Sequence, residues 1–233
     1  MQDSNNKKVR IIMTIEEFRE KAKDEEWTPG WDEIEDAFHK VYGEQQPAHF
    51  GTVITSRAMF GGKEYLDGYS AYLSNKGYSH IVTFGMSELY AVEESFGHDF
   101  SKWGYEMTIK LKNEEPNNCV WAMNMMGNLA RYTFQSERWF EPGQYIGTAQ
   151  TPQSINLNQP NSKITSLLIV NDTEIETRQT IYGELAFLQL VGITTDELET
   201  IMADKAKVPV FLDRLRMDYP ELETDMNRTK NYL

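Results

Sequence analysis

The feature of this sequence that most constrains its fold is the alternation along residues 105–112. Its odd-numbered positions are apolar and its even-numbered positions are polar. Because successive side chains of a β-strand point to opposite sides, this period of two predicts a strand with one buried face and one polar face. The buried face is expected to hold Tyr105, Met107, Ile109 and Leu111, and the polar face Glu106, Thr108, Lys110 and Lys112.

Other segments predict strands that accompany this one. The segments Gly68–Leu73 and Tyr78–Phe84 flank four residues that favour turns, so together they indicate a hairpin. Residues 184–191 are apolar on nearly both faces, which predicts a central strand. Residues 49–56 and 164–170 also predict strands, and residues 60–62 predict a turn.

Helix signals lie before, between and after these strands. Thr14 with Glu17, and Thr194 with Glu197, have the spacing of capping boxes, in which each side chain binds the backbone amide of the other residue. They predict a short helix after Thr14 and a helix over residues 195–203. Further helices are predicted over residues 31–42, 120–135 and 209–219, and residues 150–162 predict an exposed loop.

The order of these elements indicates the fold class. Hairpins and isolated helices are mixed without a regular alternation of strand and helix. This pattern favours a single α+β domain with a mixed, largely antiparallel central sheet flanked by helices over a doubly wound sheet. No internal repeat and no change of composition marks a linker between domains.

The charge balance excludes some classes of partner. The chain carries 36 acidic residues against 23 basic ones, a net charge of -13. Nucleic acid is therefore not an expected ligand, since phosphate binding requires a basic surface. A basic protein partner is compatible with this charge. No apolar run approaches the ~20 residues of a membrane helix, and the polar start lacks the core of a signal peptide, so a cytoplasmic protein without membrane contact is expected.

Metal and cofactor sites are not indicated. The four histidines are scattered, and the single Cys119 has no second cysteine with which to form a disulfide or a metal site. We therefore expect no cofactor and no metal, a buried Cys119, and structural, hydrogen-bonded roles for two of the histidines, His49 and His80.

One stretch, His-Ile-Val-Thr-Phe-Gly-Met-Ser-Glu-Leu-Tyr over residues 80–90, resembles a nucleophile elbow. That motif runs Gly-x-Ser-x-Gly, and its second glycine is replaced here by Leu89. A serine hydrolase that uses Ser87 is the less favoured hypothesis. The favoured interpretation is a structural turn that Gly85 permits, in which Ser87 and Glu88 satisfy backbone donors.

Blocks along the chain, in order and spacing, resemble the suppressor-of-fused domain family over residues 27–228. Residues 1–26 then form an N-terminal arm with a short helix, and residues 229–233 a C-terminal tail. The blocks begin at Pro29, Pro47, Asp67, His80, Gly104, Leu129, Phe187 and Thr224. Their motif residues are Trp31, Asp67, Gly68, His80, Gly85, Ser87, Glu88, Gly104, Glu106, Arg131, Gln189, Asp225 and Arg228.

This resemblance implies a protein-binding domain that is not an enzyme. Animal members of the family restrain a transcription factor by holding a short peptide as an added strand, in a groove between two domains. The chain is similar to the short bacterial members that lack the C-terminal domain, several of which are regarded as immunity proteins that neutralise a toxin. A regulatory domain that sequesters a transcription factor or another cellular protein is the alternative. The oligomeric state is left open.

The resemblance also implies where a partner binds. Tyr90 corresponds to a tyrosine that lines the animal groove, and Asp99 is the closest match to an acidic groove residue. The segment over residues 91–103 is expected to offer a free sheet edge to a partner strand. Glu93 and Glu94 are expected to face a basic partner surface. Trp103 is a candidate contact, Trp139 is left open between core and contact, and Trp121 is expected in the core.

Overall fold

The structure is a computed structural model that describes residues 13–52, 66–147 and 161–233. Within these ranges the helices are α1 (Ile15–Lys21), α2 (Pro29–Tyr42), α3 (Val120–Ser136), α4 (Thr195–Ala203) and α5 (Lys207–Arg216). Short 3-10 turns occupy Glu93–Ser95 and Pro116–Cys119. The strands are β1 (Ala48–Gly51), β2 (Gly68–Leu73), β3 (Tyr78–Phe84), β4 (Phe100–Lys112), β5 (Tyr145–Ile146), β6 (Ile164–Asn171), β7 (Arg178–Thr180) and β8 (Gly183–Thr194).

All of these strands belong to one sheet. Its order is β1-β2-β3-β4-β8-β6-β5, and β7 pairs with β8 beside this path. The neighbours β4 and β8 run parallel, whereas the other described pairs are antiparallel. The predicted α+β class with a mixed, largely antiparallel sheet is confirmed, and so is the central position of the strand that contains residues 184–191.

Helix α3 covers one face of the sheet. The odd-numbered side chains of β4 lie on this face, as the alternation predicted, and pack with apolar residues of the neighbouring strands. The helix contributes Ala122, Met123, Met126 and Ala130, and Cys119 is buried just before it. Trp121 is only partly buried, although it packs against this cluster as the sequence led us to expect.

The opposite face is covered by two separate apolar clusters. In one, Ile34 and Phe38 of α2 pack on β3 and on Phe187 of β8. In the other, α4, α5 and the C-terminal residues pack on β6 and on the second half of β8. Between the two clusters lie the even-numbered side chains of β4.

Those even-numbered side chains correct one expectation. Glu106, Thr108 and Lys110 were predicted to form a polar, exposed face, yet all three are fully buried. Alternation shows which side chains share a face, but it does not show whether other parts of the chain cover that face. Here residues 172–175 and 221–224 cover it, and they supply the polar partners.

The helix boundaries mostly follow the sequence signals. Both capping boxes are present, with each side chain bound to the backbone amide of the other residue. Helix α2 begins two residues before the predicted start because Pro29 and Gly30 already occupy its first turn, and α5 likewise begins at Lys207. The hairpin of β2 and β3 has its predicted bounds. Residues 53–56 of one predicted strand, the turn at residues 60–62 and residues 150–160 of the predicted loop lie outside the described residues.

The centre of the buried polar face is the carboxylate of Asp172. It accepts hydrogen bonds from Thr108 (2.5 Å) and from the Lys110 ammonium (3.1 Å), and it lies 2.9 Å from Nε2 of His80. The other ring nitrogen of His80 lies 2.9 Å from the Tyr42 hydroxyl, which confirms the hydrogen-bonded role expected of this histidine. Burial alone raises the pKa of Asp172, but the interactions with His80, Lys110 and Thr108 outweigh burial and hold this pKa well below its usual range.

The C-terminus is fixed by a second buried pair. The Arg228 guanidinium donates to both oxygens of Glu197, at 2.7 and 2.9 Å, in a bidentate pair. The same carboxylate caps α4 and accepts the backbone N–H of Tyr232. The C-terminal segment is therefore anchored at Tyr232, whose side chain is buried.

The lowered pKa of Asp172 predicts how stability depends on pH. A carboxyl whose folded pKa lies below its unfolded value of about 4 stabilises the fold above that pH, and this stability is lost as pH falls through the folded pKa. Asp172→Asn should lower the free energy of unfolding by about 3 kcal/mol at pH 7, because His80 and Lys110 lose a buried carboxylate and Lys110 keeps only Glu174, at 3.1 Å, as an acidic partner. Below pH 4 the variant should lose less further stability than the wild type. Urea unfolding between pH 7 and pH 2.5 measures both effects.

The matched control is Asp213→Asn, which removes the same charge from an exposed carboxylate of α5. It should change stability by less than about 1 kcal/mol and leave the pH profile unchanged. Parallel profiles for wild type and Asp172→Asn would show that Asp172 does not set the acid sensitivity.

Candidate functional site

A single buried carboxylate shapes the turn that follows β3. Glu106 accepts five hydrogen bonds: from the Thr83 hydroxyl (2.6 Å), from the backbone N–H groups of Gly85 (3.0 Å), Met86 (3.3 Å) and Ser87 (2.9 Å), and from the Ser87 hydroxyl (2.6 Å). Gly85 has a φ of +126°, a conformation that side chains rarely allow, so glycine is required there. Burial raises the pKa of Glu106, and the donated hydrogen bonds act in the opposite direction.

This geometry confirms the structural turn but corrects how its donors are satisfied. We expected Ser87 and Glu88 to satisfy backbone donors, whereas Glu106 satisfies those of the turn and the Ser101 hydroxyl accepts the N–H of Glu88 at 3.0 Å. The Ser87 hydroxyl is buried and bound to a carboxylate rather than to an imidazole. His49 instead hydrogen-bonds Ser70, in the structural role that we expected of it.

The chain leaves this turn as a segment that we call the recognition segment, residues 90–103. Residues of the turn between β7 and β8 form hydrogen bonds with the backbone of this segment. The Tyr182 hydroxyl donates to the backbone oxygen of Tyr90 at 2.5 Å, and the N–H of Gly97 donates to the oxygen of Ile181 at 2.9 Å. The next residue, Gly183, lies so close to the backbone of residues 98–100 that an added Cβ would meet the His98 oxygen at 2.4 Å.

Helix α1 packs against the middle of the recognition segment. Phe18 is buried, with its ring 5.2 Å from that of Phe96 and 6.2 Å from that of Tyr182. Arg19 forms an ion pair with Glu93 on the surface. The N-terminal helix, which lies outside the family resemblance, therefore packs directly behind the candidate binding residues.

The candidate partner-binding residues differ in exposure. Tyr90 is 40% exposed, and its hydroxyl donates to the carboxylate of Asp67. Glu93, Glu94 and Asp99 are exposed. Trp103 is only half-buried, with its ring 5.6 Å from Phe134 in an edge-on contact. Its buried indole N–H has no acceptor among the described residues.

The expectation of a free sheet edge along residues 91–103 is wrong. Strand β4 lies inside the sheet, between β3 and β8. The N–H of Trp103 donates to the oxygen of Met86, and Phe100 pairs with Glu184. The order of the described strands places β1 and β5 at the two ends of the sheet. Sequence alternation alone could not reveal this, because edge and interior strands share the same period.

The remaining motif residues mainly fix contacts between elements. Trp31 stacks on Phe84 at 4.2 Å, and Gln189 donates to the backbone oxygens of Glu221 and Leu222. Gly68 begins β2 where an added Cβ would meet the Phe50 oxygen at 2.8 Å. Gly104 has a φ of +81°, Asp225 accepts from the Tyr219 hydroxyl, and the exposed Arg131 donates to Asn128.

Sequence reasoning missed two residues that organise the surroundings of the candidate site. Asp172 organises the buried face, and Tyr182 holds the recognition segment. The sequence Asn-Asp-Thr-Glu, which begins at the last residue of β6, contains several cap-forming residues and could have drawn attention to Asp172. Nothing local marks Tyr182, because its partner lies 92 residues away.

The described residues contain no group of three or more His, Cys, Asp or Glu side chains that could hold a metal ion. None of the helices described is both long and apolar enough to cross a membrane.

The chain is similar to proteins of one known family. The family model for the suppressor of fused protein (SUFU) matches residues 62–229, and the chain belongs to this family. The suppressor of fused homologues of Homo sapiens and Mus musculus are each 32% identical to it over 213 residues. These alignments cover 82% of this chain and 43% of each relative, so the chain spans less than half the length of the curated relatives that it matches.

Solved structures agree with this assignment. A chain of the Sufu–Fu complex superposes with a TM-score of 0.73 at 26% identity, covering 88% of this chain and 93% of that one. Drosophila Suppressor of Fused gives a TM-score of 0.69 at 25% identity, covering 89% of this chain and 52% of that one. A SUFU homologue from Neisseria gonorrhoeae shares the fold, with a TM-score of 0.54 at 15% identity over 86% of this chain and 96% of that one.

The five hydrogen bonds to Glu106 predict that its ionised form is essential to the turn. Glu106→Gln replaces one acceptor oxygen by an N–H₂ group. Because this group is itself a donor and faces N–H or O–H donors, at least one of those donors is left unpaired. We expect a loss of about 2–4 kcal/mol in the free energy of unfolding, measured by urea denaturation. The control Glu115→Gln changes an exposed carboxyl in the loop after β4 and should cost less than about 0.5 kcal/mol. Equal stability of the two variants would contradict this account of the turn.

Proposed function

We propose that this chain is a protein-binding module whose contact surface is built around the recognition segment. The observation that carries this proposal is that the backbone of the segment is hydrogen-bonded and packed against the domain while its outer side chains remain exposed. Tyr182, Gly183 and α1 support its backbone. A segment ordered in advance loses little conformational entropy on binding, which favours recognition.

The charge of this surface supports a basic partner. Glu94 and Asp99 are exposed on the segment, and the chain as a whole has a net charge of -13. Complementary charge accelerates encounter and selects against acidic competitors. Glu93 contributes less to the negative charge of this surface because it forms an ion pair with Arg19.

We further propose that the partner is a toxin that this protein neutralises, so that the chain acts as an immunity protein. Its support is the acidic surface, which suits a toxin with a basic, nucleic-acid-directed face, together with the resemblance to short family members. Regulation of a transcription factor or of another cellular protein is the alternative, and the Sufu–Fu complex shows that a related chain assembles with a second protein. The two proposals use the same surface and differ in the partner.

The experiment uses the product of the adjacent gene as the binding probe. We expect a stable complex with the full chain in calorimetry, and growth protection when both are expressed in one cell. Asp99→Lys should weaken binding at least tenfold, about 1.4 kcal/mol, because a basic partner then meets a like charge. Asp213→Lys makes the same charge change on α5 and should leave affinity within about twofold.

The outcomes distinguish the protein-binding function from the immunity role. A complex without any effect on growth removes the immunity role but leaves a protein-binding module. The absence of any complex with this probe, together with failure of the immobilised chain to retain any other protein in an Asp99-dependent manner, refutes the binding proposal.

The hydrolase hypothesis has its own test. The Ser87 hydroxyl is buried and donates to Glu106, so it should not react with a fluorophosphonate reagent. Intact-mass spectrometry after exposure to the reagent should show no adduct on the wild type. An adduct that disappears in Ser87→Ala would instead support a catalytic serine.

A further inference from the structure

The recognition segment borders an apolar cleft of about 650 Å³ on the α3 face of the sheet. Its walls come from the start of β4, from the turn after α3 and from β8. Two aromatic rings at the cleft are far more exposed than is usual for such side chains: Phe100 is 58% exposed and Trp139 is 56% exposed. Trp103, Phe140 and Leu188 form further apolar parts of the wall.

A bulge in β4 lies at this cleft. The register between β4 and β8 shifts between Phe100 and Tyr105, so the intervening residues are out of register with β8. Lys102 and Gly104 both have positive φ, at 54° and 81°. Bulges of this kind redirect side chains and are frequent beside binding sites.

The mouth of the cleft is acidic. Glu141 and Glu184 line it and are exposed, and Asp99 adjoins Phe100. No ion pair with Glu141 or Glu184 occurs among the described residues. Lys102 is the one basic residue among the described lining residues, and its ammonium donates to the backbone oxygen of Gly85 at 2.5 Å and lies 5.0 Å from the Phe134 ring. The cleft therefore combines an apolar floor with a rim of negative charge.

We propose that this cleft receives a bulky aliphatic or aromatic side chain from a basic segment of a protein partner. The inference rests on the proposed protein-binding function and adds the chemistry of the bound segment. Binding removes apolar surface of Phe100, of Trp139 and of the incoming side chain from water, which favours the complex. Arginine or lysine residues on either side of that side chain then lie against Glu141 and Glu184. Pockets of a few hundred cubic ångströms with few charged groups commonly anchor such side chains.

The probe for this proposal is the blocked peptide acetyl-Arg-Leu-Phe-Arg-amide, added to the full chain labelled with ¹⁵N. The indole N–H signals of the five tryptophans can be assigned with Trp→Phe variants. We expect saturable shifts of the Trp103 and Trp139 signals, with a dissociation constant of about 1 mM or lower. Acetyl-Glu-Leu-Phe-Glu-amide and acetyl-Arg-Gly-Gly-Arg-amide are the control peptides, and neither should produce these shifts.

Variants at the cleft test whether the peptide that causes these shifts is bound there. Trp139→Ala should weaken the peptide at least fivefold, and because Trp139 is exposed the variant should fold as the wild type does in circular dichroism. Glu184→Lys should weaken it severalfold and reduce its dependence on salt. Glu199→Lys on α4, on the other face of the sheet, should leave binding unchanged.

Four results would overturn the proposal. One is the absence of saturable shifts with the basic apolar peptide, and another is equal shifts with either control peptide. The third is a Trp139-dependent dimer in sedimentation, because a second copy of this chain would then occupy the cleft. If Asp99→Lys breaks the complex with a partner protein while Trp139→Ala does not, the cleft assignment fails and the protein-binding function stands.

Discussion

The arrangement of this protein depends on one buried carboxylate. Glu106 lies at the crossing of the central strand β4 and the turn after β3, and its two oxygens satisfy three backbone N–H groups and two hydroxyls. Without it, these donors would be buried unpaired, which is costly in a dry interior. Because the recognition segment begins three residues after Ser87, the same carboxylate also sets the direction in which that segment leaves the sheet.

The polar face of the sheet follows the same principle. Asp172 and Glu197 each bind a cationic side chain and backbone donors at once, so each joins elements that are distant in sequence. A buried pair of this kind adds little net stability over an apolar core, but removal of one partner is costly, which makes the arrangement specific. These pairs therefore connect the sheet to the segments that cover it.

Strand β4 belongs to the core of the sheet and also lines the cleft. The first residues of this strand break register with β8 at the bulge, whereas residues 105–108 return to it. A strand that belongs to the core can in this way present exposed Phe100 beside buried Tyr105. Binding surfaces placed on such strands keep their geometry better than surfaces on free loops. A contact surface on this segment, as proposed, therefore does not require a free sheet edge.

Local signals in the sequence determined the helices that begin with capping boxes, the hairpin of β2 and β3, and the apolar face of β4, because each depends on residues within a few positions of one another. The order of short motifs also determined the family. Tertiary structure alone decided that Glu106, Thr108 and Lys110 are buried, that residues 100–103 lie inside the sheet, and that Trp139 lies beside Phe100 at a cleft. These features arise where segments far apart in the chain, such as residues 172–175 and the β7–β8 turn, cover or approach a strand, and periodicity along a strand contains no information about what covers it.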